Sequence, residues 1–367
     1  MVDTGWDLLA GAVEDLGWHS EPSLQNKWPH SAVHERFHGT LKAAIRCAML
    51  QSCFPEDCWD LAIEHLNLVL FIKIRYYAGP DDILIRHRIR TWWTLAGIFS
   101  LALCISPRGG VIFFGFISFL ALKEFLSMAP TRRADRRVLF YAYLSVVAQY
   151  YFAGAAHYQM FLVFIPVIMF AWLPTRMWMI GEGSGFVKAV GTLLWALMIT
   201  VYSLSHTAYL LVIPIDDNLP TAALNTTVIA THHPGPGLLI FLILLAEAND
   251  IFQYAWGKNF GKTKVSPNIA SGKTYAGLLG GVLSTACLAA VIGPLITPMD
   301  ITHSVIAGVI IAFSGFAGEL CIWAMKCDLK IKDFGATLPG HGGVLDRVGN
   351  LIFSAPLFFH FIHYCYS

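Results

Sequence analysis

The chain has 367 residues, of which 56% are hydrophobic and only 13% are charged. A soluble domain is about 45–50% apolar and about 25% charged, so this composition excludes a soluble globular protein and indicates a membrane protein with several spans. The formal net charge of +1 gives no support for nucleic-acid binding through bulk charge.

The N-terminal part differs from the rest of the chain. Residues 1–82 are mixed and polar, and the composition changes abruptly at the basic run Arg86–Arg90. We therefore expect a polar segment over 1–82 and a transmembrane domain over 83–367. The eight cysteines of the chain are scattered and form no Cys-x-x-Cys pair, so neither disulfides nor a zinc site is expected.

Part of this polar segment resembles another kind of protein. Residues Pro29–Leu41, followed by Phe54–Trp59, resemble the end of a retrotransposon integrase core, and the resemblance covers about residues 25–70. In that family the glutamate that matches Glu35 is the last of three metal-binding carboxylates, and the other two lie well upstream. Too little chain precedes Glu35 for them, and a two-metal site cannot be built from one carboxylate. We expect residues 1–82 to be a fused or mis-joined, non-functional fragment.

From Trp92 onward, long apolar runs alternate with short polar connections. Each run has roughly the 20 residues that a helix needs to cross the hydrocarbon core. The predicted fold class is therefore an all-α polytopic membrane protein with about eight to nine transmembrane helices. The predicted spans are 92–106, 109–128, 138–154, 158–173, 187–213, 236–256, 276–297, 303–325 and 350–366.

The placement of charge predicts the orientation of these helices. Basic residues concentrate in every second connection, while the long connection 214–234 contains Asp216 and Asp217 and no lysine or arginine. By the positive-inside rule, the basic connections are expected on the cytoplasmic side, and with them the polar site. Asn225-Thr-Thr227 is then a glycosylation sequon on the opposite side. The basic connections contain Arg86–Arg90, Arg132–Arg137, Arg176 with Lys188, Lys258–Lys273 and Lys326–Lys332.

A first polar motif begins inside the predicted span 236–256 and continues beyond it. Asp250 shares a helical face with Tyr254, Gly257 and Gly261, so its carboxylate points where glycines allow close approach. An aspartate in an apolar run is typical of a functional site. Four lysines follow in a short loop and suit the phosphates of a nucleotide, although the positive-inside rule explains each of them as well. They are Lys258, Lys262, Lys264 and Lys273. Gly272-Lys273-Thr274 is not a Walker A loop, because the upstream glycine and a preceding strand are missing.

The second polar motif, Lys326–Asn350, reads KCDLKIKDFGATLPGHGGVLDRVGN. On the helix that leads into it, Glu319, Trp323 and Lys326 lie within about 60° of one another. Its glycines allow the backbone to approach a phosphate or a metal-bound anion closely. The alternating charges alone also fit a surface salt-bridge pattern, but such a pattern does not need Pro-Gly-His-Gly-Gly between the charges. A functional loop is therefore the preferred interpretation.

The pattern Lys326-x5-Lys332-Asp333-x-Gly335-x3-Pro339-Gly340-His341-Gly342-Gly343-x2-Asp346-Arg347 resembles the C-terminal motif of phosphatidate cytidylyltransferases. The resemblance extends over roughly residues 86–366, and Arg132–Arg137 with Ser203–His206 resemble a bacterial-type branch. It implies transfer of a cytidylyl group from CTP to phosphatidate, giving CDP-diacylglycerol and pyrophosphate, with Mg²⁺ as cofactor. CTP, phosphatidate and membrane lipid are the expected partners, nucleic acid is not, and a homodimer remains open.

The resemblance also implies roles for individual residues. Metal ligands would be Asp250, Glu319 and Asp346, with Asp333 as an alternative to Asp250. Catalytic residues would be Lys326, Lys332, Asp333, His341, Asp346 and Arg347, with His341 orienting a phosphate or moving a proton. Substrate-binding residues would be Asn249, Lys262, Lys273, Gly340, Gly342 and Gly343.

Among the positions that depart from the family pattern are three around the C-terminal motif, where the family has Ser, Arg and Asp and this chain has Trp323, Cys327 and Gly349. The indole is expected to crowd the face shared by Glu319 and Lys326, and the other two changes delete a cation and a carboxylate. Loss of one group from a preorganised site commonly costs about 10²–10³ in rate. The alternative prediction is therefore a catalytically impaired family member that binds lipid phosphate or nucleotide without turnover.

Overall fold

The structure, a computed structural model, describes residue 97 and residues 106–129, 136–181, 183–214, 235–266, 269–335, 337 and 342–366. These residues fall in the larger of the two units into which the chain divides, Arg46–Ser367. The smaller unit, Met1–Ile45, lies outside them, as do the predicted integrase-like stretch, the sequon, Gly340 and His341.

Helices account for most of the described chain. Two of the long helices contain a π-helical segment, one of which includes Pro166, whose missing N–H interrupts the α-helical hydrogen bonds. In chain order the elements are α1 (Pro107–Met128), α2 (Arg136–Gly154), α3 (Tyr158–Val163), the π segment Phe164–Met169, α4 (Phe170–Trp178), α5 (Phe186–Leu197), the π segment Met198–Tyr202, α6 (Ser203–Leu210), α7 (Gly235–Phe260), β1 (Lys264–Ser266), β2 (Ala270–Thr274), α8 (Tyr275–Ile296), α9 (Ile301–Leu329) and α10 (Leu351–Tyr366).

Six helices in this part of the chain are long and apolar enough to cross a membrane. They are Arg108–Met128, Tyr158–Trp178, Phe186–Leu210, Gly235–Phe260, Tyr275–Ile296 and Ile301–Leu329. The polytopic membrane fold is thus confirmed, while the expected count of eight to nine is not. The predicted span 92–106 lies outside the described residues apart from Gly97 and Ser106. Helix α2 begins with two arginines, and α10 has only 16 residues, or about 24 Å of helix, which is short for a bilayer of about 30 Å.

Helices α7, α8 and α9 pack at small residues, as membrane helices commonly do. A Cβ atom at Gly277 of α8 would lie 2.7 Å from the carbonyl oxygen of Gln253 on α7. A Cβ atom at Gly308 of α9 would lie 2.6 Å from the Cβ atom of Ala289 on α8. The three backbones approach closely because these side chains are absent, and this brings the polar ends of α7 and α9 together.

The prediction of an all-α fold was wrong in one detail. A two-stranded antiparallel hairpin follows α7, with Lys264 opposite Thr274 and Ser266 opposite Ala270. Lys264 and Lys273, which were expected in a loop, belong to its first and second strands. Thr274 then caps α8, because its side chain accepts a hydrogen bond from the N–H of Gly277. Strands as short as three and five residues carry too little pattern to be recognised in the sequence.

Candidate active site

A first cluster of polar side chains forms where the C-terminal part of α7 meets β2 and α9. The ammonium group of Lys273 contacts the Glu319 carboxylate, lies 3.0 Å from Gln253 Oε1, and lies 3.9 Å from Asp250 Oδ1. The side chains of Lys273, Asp250 and Glu319 are 21–29% exposed, so water screens the charges only partly. We call Lys273, Asp250, Gln253 and Glu319 the Lys273 cluster.

A second cluster lies at the C-terminal end of α9. The ammonium group of Lys326 is 2.7 Å from Asp346 Oδ1 and 4.0 Å from Asp333 Oδ1. The side chain of Asp346 is only 6% exposed, and its other carboxylate oxygen accepts hydrogen bonds from the N–H groups of Phe334 and Gly343. Lys326, Asp333 and Asp346 form the Lys326 cluster. Its contacts hold the beginning and the end of the loop between α9 and α10 together.

The helical period of α9 sets the distance between the two clusters. Glu319 and Lys326 are two helical turns apart, which corresponds to about 10.5 Å along the axis, and they share one face of the helix. Asp250 and Glu319 therefore belong to one cluster and Asp346 to the other. Within the described residues, no three His, Cys, Asp or Glu side chains are grouped so that they would hold a metal ion. A ligand set that combines all three carboxylates stays a prediction.

Asp250 and the adjoining Asn350 nevertheless supply the kind of ligands that Mg²⁺ takes. In the described part of the chain, Oδ1 of Asp250 and Oδ1 of Asn350 are buried and accept no hydrogen bond. The amide nitrogen of Asn350 donates to Asp250 Oδ2 at 3.3 Å, so the two side chains adjoin. Carboxylate and amide oxygens suit a hard cation, and this donor set fits Mg²⁺. Lys273 competes with such an ion for the same carboxylates.

A buried glutamate on α1 holds the loop between α9 and α10 from the other side. Glu124 is 5% exposed, and its two carboxylate oxygens accept hydrogen bonds from Val344 N and Leu345 N, both at 2.9 Å. A Cβ atom at Gly343 would lie 2.5 Å from Glu124 Oε2, so glycine is required for this approach. Glu124 is not among the predicted site residues. The sequence feature that could have pointed to Glu124 is its position as the one glutamate inside the predicted span 109–128, where an unpaired charge is costly.

A cavity of about 560 Å³ lies beside both clusters. It is open to solvent and combines four cationic side chains with three carboxylates and an indole. The lining residues are Ile269, Glu319, Ile322, Trp323, Lys326, Cys327, Lys330, Ile331, Lys332, Asp333, Asp346, Arg347 and Gly349. Its size falls within the range of about 300–1,000 Å³ found for small-molecule sites.

The predicted catalytic residues gather at this cavity. Lys326, Lys332, Asp333, Asp346 and Arg347 all line it, whereas His341 lies outside the described residues. Gly342 is near them in the left-handed region, with φ of 80°. A Cβ atom there would lie 2.9 Å from Asp346 Oδ2, so the loop needs glycine at this position on both counts.

None of the five described residues that were predicted to bind substrate lines the cavity; they are Asn249, Lys262, Lys273, Gly342 and Gly343. Asn249 is 1% exposed and lies between helices, donating to Ala312 O at 3.1 Å and accepting from Thr285 at 3.3 Å. Its amide group thus ties α7 to α8 and α9. Lys262 is exposed between α7 and β1. For all five residues, contact with a substrate stays a prediction.

The three departures from the family pattern leave both clusters intact. Trp323 lies beside Lys326, whose ammonium group is 5.3 Å from the centre of the indole. The thiol of Cys327 lies 3.7 Å from the carbonyl oxygen of Ile269 and links α9 to the hairpin. A Cβ atom at Gly349 would lie 3.1 Å from Ile322 Cγ1, so the loop backbone packs closely on α9 here. The indole therefore does not prevent the contacts of Lys273 with Glu319 or of Lys326 with Asp346.

Comparison with known proteins identifies relatives of the membrane domain. A model of the cytidylyltransferase family matches residues 86–365. The chain is 40% identical over 279 residues to the uncharacterized protein YnbB of Escherichia coli (strain K12), a match that covers 76% of this chain and 87% of YnbB. The integrase-like resemblance and the bacterial-type branch find no support in these comparisons and stay predictions.

Relatives with a named activity match a shorter part of the chain. The phosphatidate cytidylyltransferase of Aquifex aeolicus (strain VF5) is 41% identical over 122 residues, which is 33% of this chain and 45% of that protein. The phosphatidate cytidylyltransferase of Haemophilus influenzae (strain Rd) is 33% identical over 138 residues, which is 36% of this chain and 48% of that protein. The chain thus spans less than half the length of these two relatives.

Proposed function

This chain belongs to the cytidylyltransferase family, and we propose that it transfers the cytidylyl group of CTP to phosphatidate, giving CDP-diacylglycerol and pyrophosphate. The observation that carries the proposal is the cavity lined by Glu319 of the Lys273 cluster and by all three residues of the Lys326 cluster. It offers cations, carboxylates and room for a nucleotide at the end of membrane helices, where a lipid headgroup also lies.

The reaction brings two anions together. An oxygen of the lipid phosphate attacks the α-phosphorus of CTP, the new P–O bond forms, and the bond to the bridging oxygen of the β-phosphate breaks as pyrophosphate leaves. The chemical demand is charge stabilisation and alignment, as in other phosphoryl transfers. We assign this work to Lys326, Lys332 and Arg347, all of which line the cavity.

The carboxylates of the Lys326 cluster act on the lysine and on the loop. Asp346 fixes the Lys326 ammonium group through Oδ1 and fixes the loop through two backbone N–H groups that donate to Oδ2. Such anchoring keeps the Lys326 ammonium group and the loop in place before substrate arrives, which lowers the reorganisation needed during reaction. When bound at Asp250, Glu319 and Asn350, Mg²⁺ would supply further positive charge toward the phosphates.

We further propose that the cavity faces the cytoplasm, where CTP is made available. Both lysine-rich connections open at one end of the bundle, because Lys273 of the hairpin contacts Glu319 of α9. The positive-inside rule then favours the cytoplasm for this end. A membrane-impermeant maleimide is expected to label the exposed Cys327 in inside-out vesicles and not in sealed right-side-out vesicles.

The direct test uses the full chain, purified in detergent and supplied with CTP, phosphatidate and Mg²⁺. Release of pyrophosphate and recovery of CDP-diacylglycerol are expected, and both should depend on Mg²⁺. The matched control is Asp346→Asn, which keeps the shape of the side chain and removes the charge beside Lys326. Equal product from the wild type and from Asp346→Asn, or no product from either, contradicts the proposed activity.

The second candidate function is binding without turnover, and the replacement of Ser, Arg and Asp by Trp323, Cys327 and Gly349 favours it. Under this alternative, CTP binds with measurable affinity while no pyrophosphate is released. Restoring the family residues then discriminates the two functions. Turnover that appears only in the combined Trp323→Ser, Cys327→Arg and Gly349→Asp variant supports the impaired protein.

A further inference from the structure

Trp323 presents an indole to a cavity that is otherwise lined mainly by charged side chains. Trp323 lies on α9 between Glu319 and Lys326, about one turn from each, and is 45% exposed. The Lys326 ammonium group lies 5.3 Å from the ring centre. An exposed aromatic ring at the wall of a polar cavity is a candidate contact for a planar ligand.

The indole forms a wall of the cavity and does not fill it. About 560 Å³ remain beside Trp323, and the lysine–carboxylate contacts on either side of it persist. The expectation that a tryptophan at this position obstructs the site therefore does not follow from its bulk alone.

The chemistry of the Trp323 indole decides which part of the substrates, the phosphates, an acyl chain or the nucleobase, can contact it favourably. The face of an indole carries the negative end of its quadrupole, so it does not attract a phosphate, which the neighbouring lysines bind instead. An acyl chain is also a poor occupant, because it would remove water from Lys330, Lys332 and Arg347 without replacing their hydrogen bonds. A nucleobase has a flat π surface that stacks on an aromatic side chain.

We propose that Trp323 is a stacking platform for the base of the nucleoside triphosphate. The inference rests on the proposed function only in taking the cavity as a nucleotide site. Stacking of one base on an aromatic side chain is worth roughly 5- to 150-fold in affinity. Every base has a π face, so Trp323 strengthens the binding of any nucleoside triphosphate and does not itself select cytosine.

The test compares ligands with and without a base. Isothermal titration of the full chain in detergent measures the dissociation constants of CTP and of inorganic triphosphate for the wild type, Trp323→Ala and Trp323→Phe. We expect Trp323→Ala to bind CTP about tenfold more weakly and inorganic triphosphate as the wild type does, since only the base loses its partner. Trp323→Phe should stay within about threefold of the wild type, because it keeps an aromatic face.

A second tryptophan provides the matched control. Trp172 on α4 is 46% exposed, close to the value for Trp323, and packs against Tyr141 away from the cavity. Trp172→Ala should leave both dissociation constants unchanged. Equal weakening of CTP and inorganic triphosphate by Trp323→Ala, no effect of that variant, or tighter CTP binding in it overturns the inference.

The outcomes also separate this inference from the proposed function. If CTP binds in a Trp323-dependent way and no pyrophosphate is released, the platform stands and the transferase activity fails. If CDP-diacylglycerol is formed with the same KM for CTP in Trp323→Ala as in the wild type, the activity stands and the platform fails. A wild type that binds neither ligand overturns both.

Discussion

Replacement of Glu124 by glutamine tests whether a buried carboxylate on α1 holds the loop between α9 and α10. The carboxylate accepts one hydrogen bond at each oxygen, from Val344 N and Leu345 N, both at 2.9 Å. Glutamine retains one acceptor and turns its NH₂ group toward the other N–H. A hydrogen bond to a charged group contributes about 1.5–3 kcal/mol, and a buried donor without an acceptor costs about 1–3 kcal/mol more.

Part of that loss is recovered, because a neutral amide is easier to bury than a carboxylate that is 5% exposed. We therefore expect Glu124→Gln to weaken the docking of the loop on α1 by about 2 kcal/mol. If turnover requires the docked loop, the rate of pyrophosphate release from CTP and phosphatidate falls by up to about 30-fold. The loop also becomes more accessible, and trypsin should cut faster after Lys332 or Arg347.

The control for this experiment is Lys123→Gln, at the exposed neighbouring position of α1. It should leave both turnover and trypsin cleavage as in the wild type. If Glu124→Gln matches the wild type in turnover and in cleavage at the loop, the carboxylate does not hold the loop and the reasoning fails.

Three further predictions concern the packing of the site. Gly343→Ala places a methyl group 2.5 Å from an oxygen of the α1 carboxylate, so turnover should fall as it does in the glutamine variant, and an unchanged rate would show that the loop tolerates a shift. Lys273→Met removes the cation of the Lys273–Glu319 ion pair and Glu319→Gln removes its negative charge. A double-mutant cycle of CTP affinity should reveal a coupling of about 0.5–3 kcal/mol, whereas additive losses would contradict direct pairing. Asn249→Leu removes hydrogen bonds to two helices and should lower the unfolding temperature in detergent without raising the KM for CTP; a raised KM at unchanged stability would assign Asn249 to the substrate.

The sequence by itself determined the membrane class of the protein and the approximate bounds of its main helices. The predicted spans 236–256, 276–297 and 303–325 correspond to α7 (Gly235–Phe260), α8 (Tyr275–Ile296) and α9 (Ile301–Leu329). Transfer of apolar residues into hydrocarbon is a local property of each segment, so composition along the chain is sufficient to find it. The shared face of Glu319 and Lys326 likewise follows from the helical period alone.

Only the tertiary structure decided which polar groups meet. The contact of Lys273 with Glu319 joins residues of the hairpin and of α9, and Glu124 reaches the N–H of Val344 across 220 residues of sequence. No local pattern encodes such pairs, because they depend on the register at which separate helices pack. The same register buries Asn249, which the sequence placed with the substrate, and divides the predicted carboxylates between two lysines. Residue type thus determined the chemistry that is available, and close packing at small residues determined where that chemistry is combined.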